Sequence, residues 1–271
     1  MGEAKKKRRR HAKVLEMAKG CIYCASRGAA EQVDHMPPRA IFRMSQRPKG
    51  LEFPSCAKCN QGTSHLDMAA AFMARTFPGI SSEEDSNEWD RVMQEVSRVA
   101  PDLLSEMWMP REEMSAMLNN EGITDPRMAA FRADGPILSA HMQAFGAKVG
   151  FALRFEDVGY PIPETGGAQV RWFTSGELYN GALPESLYAS IGAIKIMRQG
   201  RITSDGAFEY GWGEFTEHPS VRLYYAKVRE AFAVAAFVTD EISNLPFPAD
   251  QVATFQPGDL SKPAQDRIYV N

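Results

Sequence analysis

The chain carries four cysteines in two identical spacings, Cys21-x-x-Cys24 and Cys56-x-x-Cys59, and residues 60–271 contain none. Each C-x-x-C turn sets two sulfurs on one side of a tight loop, and two such turns supply the four thiolates of a tetrahedral zinc site. Two disulfides, a redox C-x-x-C and unrelated core cysteines are the alternatives. Disulfides fit badly with a chain showing no secretory leader, a redox motif has no need of a second copy, and equal spacing argues against chance. The expectation is a structural Zn2+ on Cys21, Cys24, Cys56 and Cys59, which pins residues far apart in sequence to one point.

The 31 residues between Cys24 and Cys56 must then form a substantial loop of their own. They hold "VDHMPPRAIF", a basic, Pro/Gly-punctuated stretch "RMSQRPKG", and the strand-like "LEFPS". Pro37 and Pro38 fix φ and remove two donors, so a strand carrying Asp34 and His35 stops just after His35. Phe42 is expected in the core beneath the loop. After Cys59, the spacing of Leu66, Ala69, Ala70, Met73 and Phe77 predicts a helix with one apolar face. The order is knuckle, strand, loop, strand, knuckle, helix.

The segments "CIYC" (21–24), "VDHMPPRAIF" (33–42) and "FPSCAKCNQGTS" (53–64) resemble the HNH endonuclease family, closest to a bacterial subgroup with D-H-x-P-P and C-x-x-C-N-x-G signatures. About fifty residues carry the resemblance directly. It implies a ββα-metal finger stapled by zinc, with His35 as general base and with Asp34 and Asn60 holding a catalytic Mg2+ or Mn2+. Hydrolysis of a phosphodiester needs an activated water and positive charge at the phosphate, and neutral imidazole and hard oxygen ligands suit those duties. One position departs from the pattern, since the asparagine that many members carry ahead of the second knuckle aligns with Leu51. The expected activity is DNA cleavage, one strand nicked per finger. A catalytically silent zinc module that binds nucleic acid or protein is the alternative, as is an RNA-directed nuclease.

Charge is partitioned in a way that fits a polyanion contact. Residues 1–75 carry 15 Lys/Arg against 6 Asp/Glu, and the remainder carries 16 against 28. Lys5, Lys6, Lys7, Arg8, Arg9, Arg10, Arg39, Arg43 and Lys58 are the candidate nucleic-acid contacts, joined by Arg47 and Lys49 near the loop. Taken alone, "KKKRRR" also reads as a solvated tail. His65 reads as a surface or backbone-contacting residue, Asp67 has no assigned role, and His141 lies among core residues.

These readings divide the chain into a basic tail (1–18), a nuclease finger (19–78) and an acidic accessory region (79–271), an α+β whole. "SSEEDSNEWDRVMQEV" starts as a capped amphipathic helix, and "GPILSAHMQAFGAKVGFALRFEDVG" (135–159) is an apolar core helix. "AQVRWFTS", "GAFEYGWGEF", "VRLYYAKV" and "AFAVAAFVT" suggest an antiparallel sheet, with "ESLYASIGAIKIMRQ" as a further helix and a loop-like tail from Phe255. The acidic accessory region is expected to be a packing, partner or specificity module that positions the finger, with a protein partner or self-association as its candidate contacts. No apolar run reaches eighteen residues, so a cytoplasmic chain without a membrane partner is expected.

Overall fold

The two knuckles flank a short antiparallel hairpin. A computed structural model describes residues 2–42, 46–76, 82–120, 122 and 130–262. In it β1 (Gln32–His35) pairs with β2 (Glu52–Ser55), with His35 opposite Glu52 and Asp34 opposite Phe53. The strand ends at His35, as the proline pair requires, and the short 3-10 turn Arg39–Ile41 follows. Ahead of the hairpin, residues that the charge run alone leaves as a solvated tail form α1 (Gly2–Leu15). Lys and Arg are good helix formers, Val14 is buried, and Arg10 pairs with Glu52 of β2, so the helix is anchored at its C-terminal half.

Helices α2 (Ala57–Gly62) and α3 (Ser64–Thr76) follow the second knuckle. Leu66, Ala69, Ala70 and Met73 are buried along α3, and Phe77 lies outside the described residues. The acidic segment then gives α4 (Glu83–Val99), whose Ser82 hydroxyl accepts from the Asp85 amide, followed by α5 (Pro101–Met107) and α6 (Arg111–Asn120). The apolar run becomes α7 (Pro136–Val158), closed by Gly159 at φ +81°.

The remaining strands are β3 (Gly167–Thr174), β4 (Lys195–Ile196), β5 (Arg198–Gln199), β6 (Ile202–Thr203), β7 (Glu209–Glu214), β8 (Arg222–Val228), β9 (Phe232–Thr239) and β10 (Thr254–Phe255). Six of them form an antiparallel sheet in the order β10-β3-β9-β8-β7-β4, while β5 and β6 pair separately. Every residue of β9 is buried, because both sheet faces are covered. Val234, Ala236 and Val238 face α7, and Ala233, Ala235 and Phe237 face a second cluster with Leu187 and Ile191.

Helix α7 is the central layer, touching the sheet on one side and α3 on the other. Glycine lets it approach the sheet: a Cβ on Gly146 would meet Val170 at 2.5 Å, and one on Gly150 would meet Ala236 at 2.6 Å. One apolar core runs from Cys21 to Leu260 through all three layers. Among the described residues no helix is long and apolar enough to cross a membrane.

Two expectations change. "ESLYASIGAIKIMRQ" is helical only over Glu185–Ser190, with α8 (Ser175–Tyr179) before this α9; Gly192 breaks it and Lys195–Ile196 extends to pair with β7. The tail beyond Phe255 is packed over its described part, since Phe255 pairs with Ala168 and Leu260 is fully buried.

Candidate metal centre and histidine pocket

The cysteine site is assembled by backbone geometry before any metal is considered. In the first knuckle the Tyr23 amide donates to Cys21 Sγ at 3.4 Å, and the turn closes through Ala25 and Ser26 in the left-handed region. In the second, Cys56 caps α2 and accepts from the Cys59 amide at 3.4 Å. Hairpin pairing then brings both turns together, so that all four buried sulfurs lie within 4.8 Å of one another. Sulfurs about 2.3 Å from a central zinc stand roughly 3.8 Å apart, and the group fits that geometry and donor chemistry.

Hydrogen bonding from Cys21 and Cys59 draws the Cys24 thiol down to about 3, while the bonds to Cys21 and Cys24 push Cys59 up. Metal ligation requires all four sulfurs to give up their protons, Cys59 included. Gly28 presses on this site, where a Cβ would stand 2.7 Å from Cys56 Sγ.

His35 lies on the other side of the hairpin, in a cavity of about 640 Å³ shared with Arg10, Arg39, Arg47, Lys49, Arg91 and Glu52. Its Nε2 is 2.8 Å from Arg39 Nη2. A guanidinium only donates, so Nε2 is the accepting nitrogen. Burial, followed by the charges of Arg39 and Arg47, lowers the imidazole to about 4, leaving it neutral near pH 7. Glu52 Oε1 stands 3.6 Å from Nε2 and is engaged by Arg10.

The loop behind His35 is held by Arg47. Its guanidinium donates to the carbonyls of Pro37, Pro48, Met36, Gly50 and Leu51 at 2.9 to 3.2 Å. Leu51 is buried at φ +48°, and its carbonyl also accepts from the Met36 amide at 3.0 Å. Arg47 thus spans the two sides of the loop.

Asp34 points away from this pocket. Successive residues of a strand face opposite sides, so Gln32 and Asp34 share one face and His35 takes the other. The Asp34 carboxylate is buried, accepting from Tyr23 Oη at 2.5 Å and from Lys148 Nζ at 3.3 Å. Lys148 is fully buried and also reaches both Asp67 oxygens at 2.8 Å. Burial pushes the Asp67 acid up to about 7, against the pull of Lys148. Asn60 donates to Gln32 Oε1 at 2.5 Å.

As placed, Asp34 and Asn60 do not fit a shared Mg2+ or Mn2+: a lysine ammonium already spans the carboxylate, and the amide is turned to Gln32. Among the described residues only the four cysteines gather three or more His, Cys, Asp or Glu ligand atoms.

The structure therefore brings Arg10 and Arg39 to His35, brings the four cysteines together, and turns Asp34 to Tyr23 and Lys148 and Asn60 to Gln32. Lys5, Lys6, Arg8 and Arg9 are exposed on α1, and Lys58 is exposed on α2. Arg43 and the side chain of Lys7 lie outside the described residues. His65 packs edge-on to His141 with ring centres 5.3 Å apart. Sequence reasoning did not single out Tyr23, Arg91 or Lys148; for Lys148 a signal existed, a lone cation inside "AFGAKVGFAL".

The His35 environment has a stability consequence. Its folded value of about 4 lies below the ordinary 6.5, so between these values the unfolded chain binds more protons and stability falls as pH drops. Thermal unfolding between pH 7 and pH 4.5 is expected to show a smaller loss in His35→Gln than in the unsubstituted protein. Parallel losses would reject the buried neutral imidazole.

No protein-family model, no curated protein and no solved structure matches this chain.

Proposed function

We propose that the chain is an HNH-type nuclease that cleaves DNA at the His35 pocket. The observation carrying this reading is a neutral imidazole with an accepting Nε2 inside a cavity lined by four arginines and a lysine. Cationic groups in such a cavity answer the charge of a phosphodiester, and an uncharged histidine is the form that accepts a proton.

Arg39 gives the two roles an order. In the free protein it occupies the Nε2 lone pair; a phosphate offers a bidentate, charge-assisted partner and draws the exposed guanidinium away. The imidazole is then free to take a proton from a water attacking phosphorus as the P–O ester bond breaks, the leaving oxygen taking its proton from solvent, while Arg10 and Arg39 neutralise the phosphate oxygens. The exposed cations of α1 extend the same field and add salt-dependent affinity for the strand.

The test is nicking of supercoiled plasmid, with and without added Mg2+ or Mn2+, by the unsubstituted protein and His35→Ala. General-base loss costs roughly 10²- to 10⁴-fold, and at least 10²-fold is expected here. Equal nicking by both proteins rejects the assignment. A second reading, a module that binds nucleic acid without cutting it, is favoured by the engagement of Asp34 with Lys148; retardation of DNA on a gel without nicking selects it. Parallel reactions on single-stranded RNA decide between the two nucleic acids.

A further inference from the structure

Between β1 and α3 lies a cluster that the His35 chemistry does not use, with Asp34 and Lys148 buried and Asp67 partly exposed. Asp34 comes from the strand, Asp67 from the helix, and Lys148 from α7, with its ammonium against both carboxylates. Tyr23 closes the cluster from the first knuckle: its hydroxyl donates to Asp34, and its ring centre is 5.8 Å from Nζ.

The lysine has nowhere to withdraw. Gly146 and Gly150 set one side of α7 hard against the sheet, and Lys148 projects from the opposite side of the same turn with none of its side chain exposed. Without a cation between them, the carboxylates of Asp34 and Asp67 would repel one another. A divalent ion takes oxygens at about 2.1 Å, and it has no room to do so where an ammonium stands 2.8 Å from both Asp67 oxygens and 3.3 Å from Asp34.

We propose that Lys148 is a built-in counter-cation that occupies the Asp34–Asp67 position in place of a divalent ion. It acts as a positioning residue, fixing β1 against α3 and so the strand end that bears His35. The consequence for catalysis rests on the nuclease reading: charge at the phosphate is then met by Arg10 and Arg39, with no divalent ion on Asp34. The occupancy itself does not rest on that reading.

The test is titration of the zinc-loaded protein with Mn2+, followed by loss of the free-ion electron paramagnetic resonance signal. The unsubstituted protein and Asp34→Asn are expected to titrate alike. Lys148→Ala, which removes the ammonium and opens its space, is expected to gain a saturable site at least tenfold tighter, lost again when Asp67→Asn is added. Saturable Mn2+ binding by the unsubstituted protein that disappears in Asp34→Asn overturns the proposal, as does a folded Lys148→Ala that gains no site. If Lys148→Ala does not fold, the first comparison decides alone. None of these readouts passes through DNA cleavage, so a failed nicking assay leaves the test intact.

Discussion

Cys21→Ser is expected to lose most or all of its folded population at 25 °C, and the zinc-loaded protein to do the same when a strong chelator removes the metal. Structural zinc contributes on the order of 10–16 kcal/mol in small domains, against roughly 5–15 kcal/mol for the whole stability of an ordinary protein. The hairpin's own strands are four residues each, too short to persist without support, and a metal on the four sulfurs ties its two flanking knuckles to one point. The loss should spread, because the cysteines belong to the same continuous core as α3 and α7. Metal analysis should give one zinc per chain, and near-ultraviolet circular dichroism should collapse in step with zinc release. An unchanged melting curve after complete zinc removal would show that the four thiols are only core residues.

The second large effect is at Arg47, where Arg47→Met should cost about 3 kcal/mol in urea unfolding, with Arg47→Lys close behind. A hydrogen bond to a charged group is worth roughly 1.5–3 kcal/mol, and water recovers part of the loss at this partly buried site. Lysine does not rescue because one ammonium cannot fork between carbonyls on both sides of a loop. The same substitution removes a positive charge that holds His35 down, so the imidazole should titrate above its present value of about 4. Nuclear magnetic resonance titration of the His35 ring reads that shift. An unshifted ring together with a cost below about 1 kcal/mol would remove Arg47 as the brace of the loop.

What could be read from the residues was whatever depended on spacing along the chain. The cysteine quartet follows from two equal intervals, α7 from a long apolar run, and β8 and β9 from β-branched and aromatic composition. The pocket was legible only in part. Arg39 sits four residues from His35, within local reach, but Arg10 arrives by the packing of a separate helix and Glu52 by hairpin register. Asp34 and His35 read as one site because they are adjacent, yet the two-residue period of a strand already places them on opposite faces. Lys148 is 114 residues from Asp34, and no local pattern announces that meeting. "ESLYASIGAIKIMRQ" misled for a related reason: helix propensity in its first half said nothing of the strand partner waiting at β7.

One contact made far from the pocket bears on how the protein can be handled. Arg27, just past the first knuckle, donates to the Pro257 carbonyl, and the Gly258 amide donates to the Tyr23 carbonyl at 2.8 Å. Ser261 fills the space beside Gly62 of α2, where even a methyl group would stand 2.9 Å from its Cβ. Segments about two hundred residues apart or more thus complete one another, and the cysteine hairpin is not a transplantable cassette. Grafted alone into another scaffold it would lack its lid and the lysine under its first strand. During synthesis, the closing of such distant ends comes late and slowly.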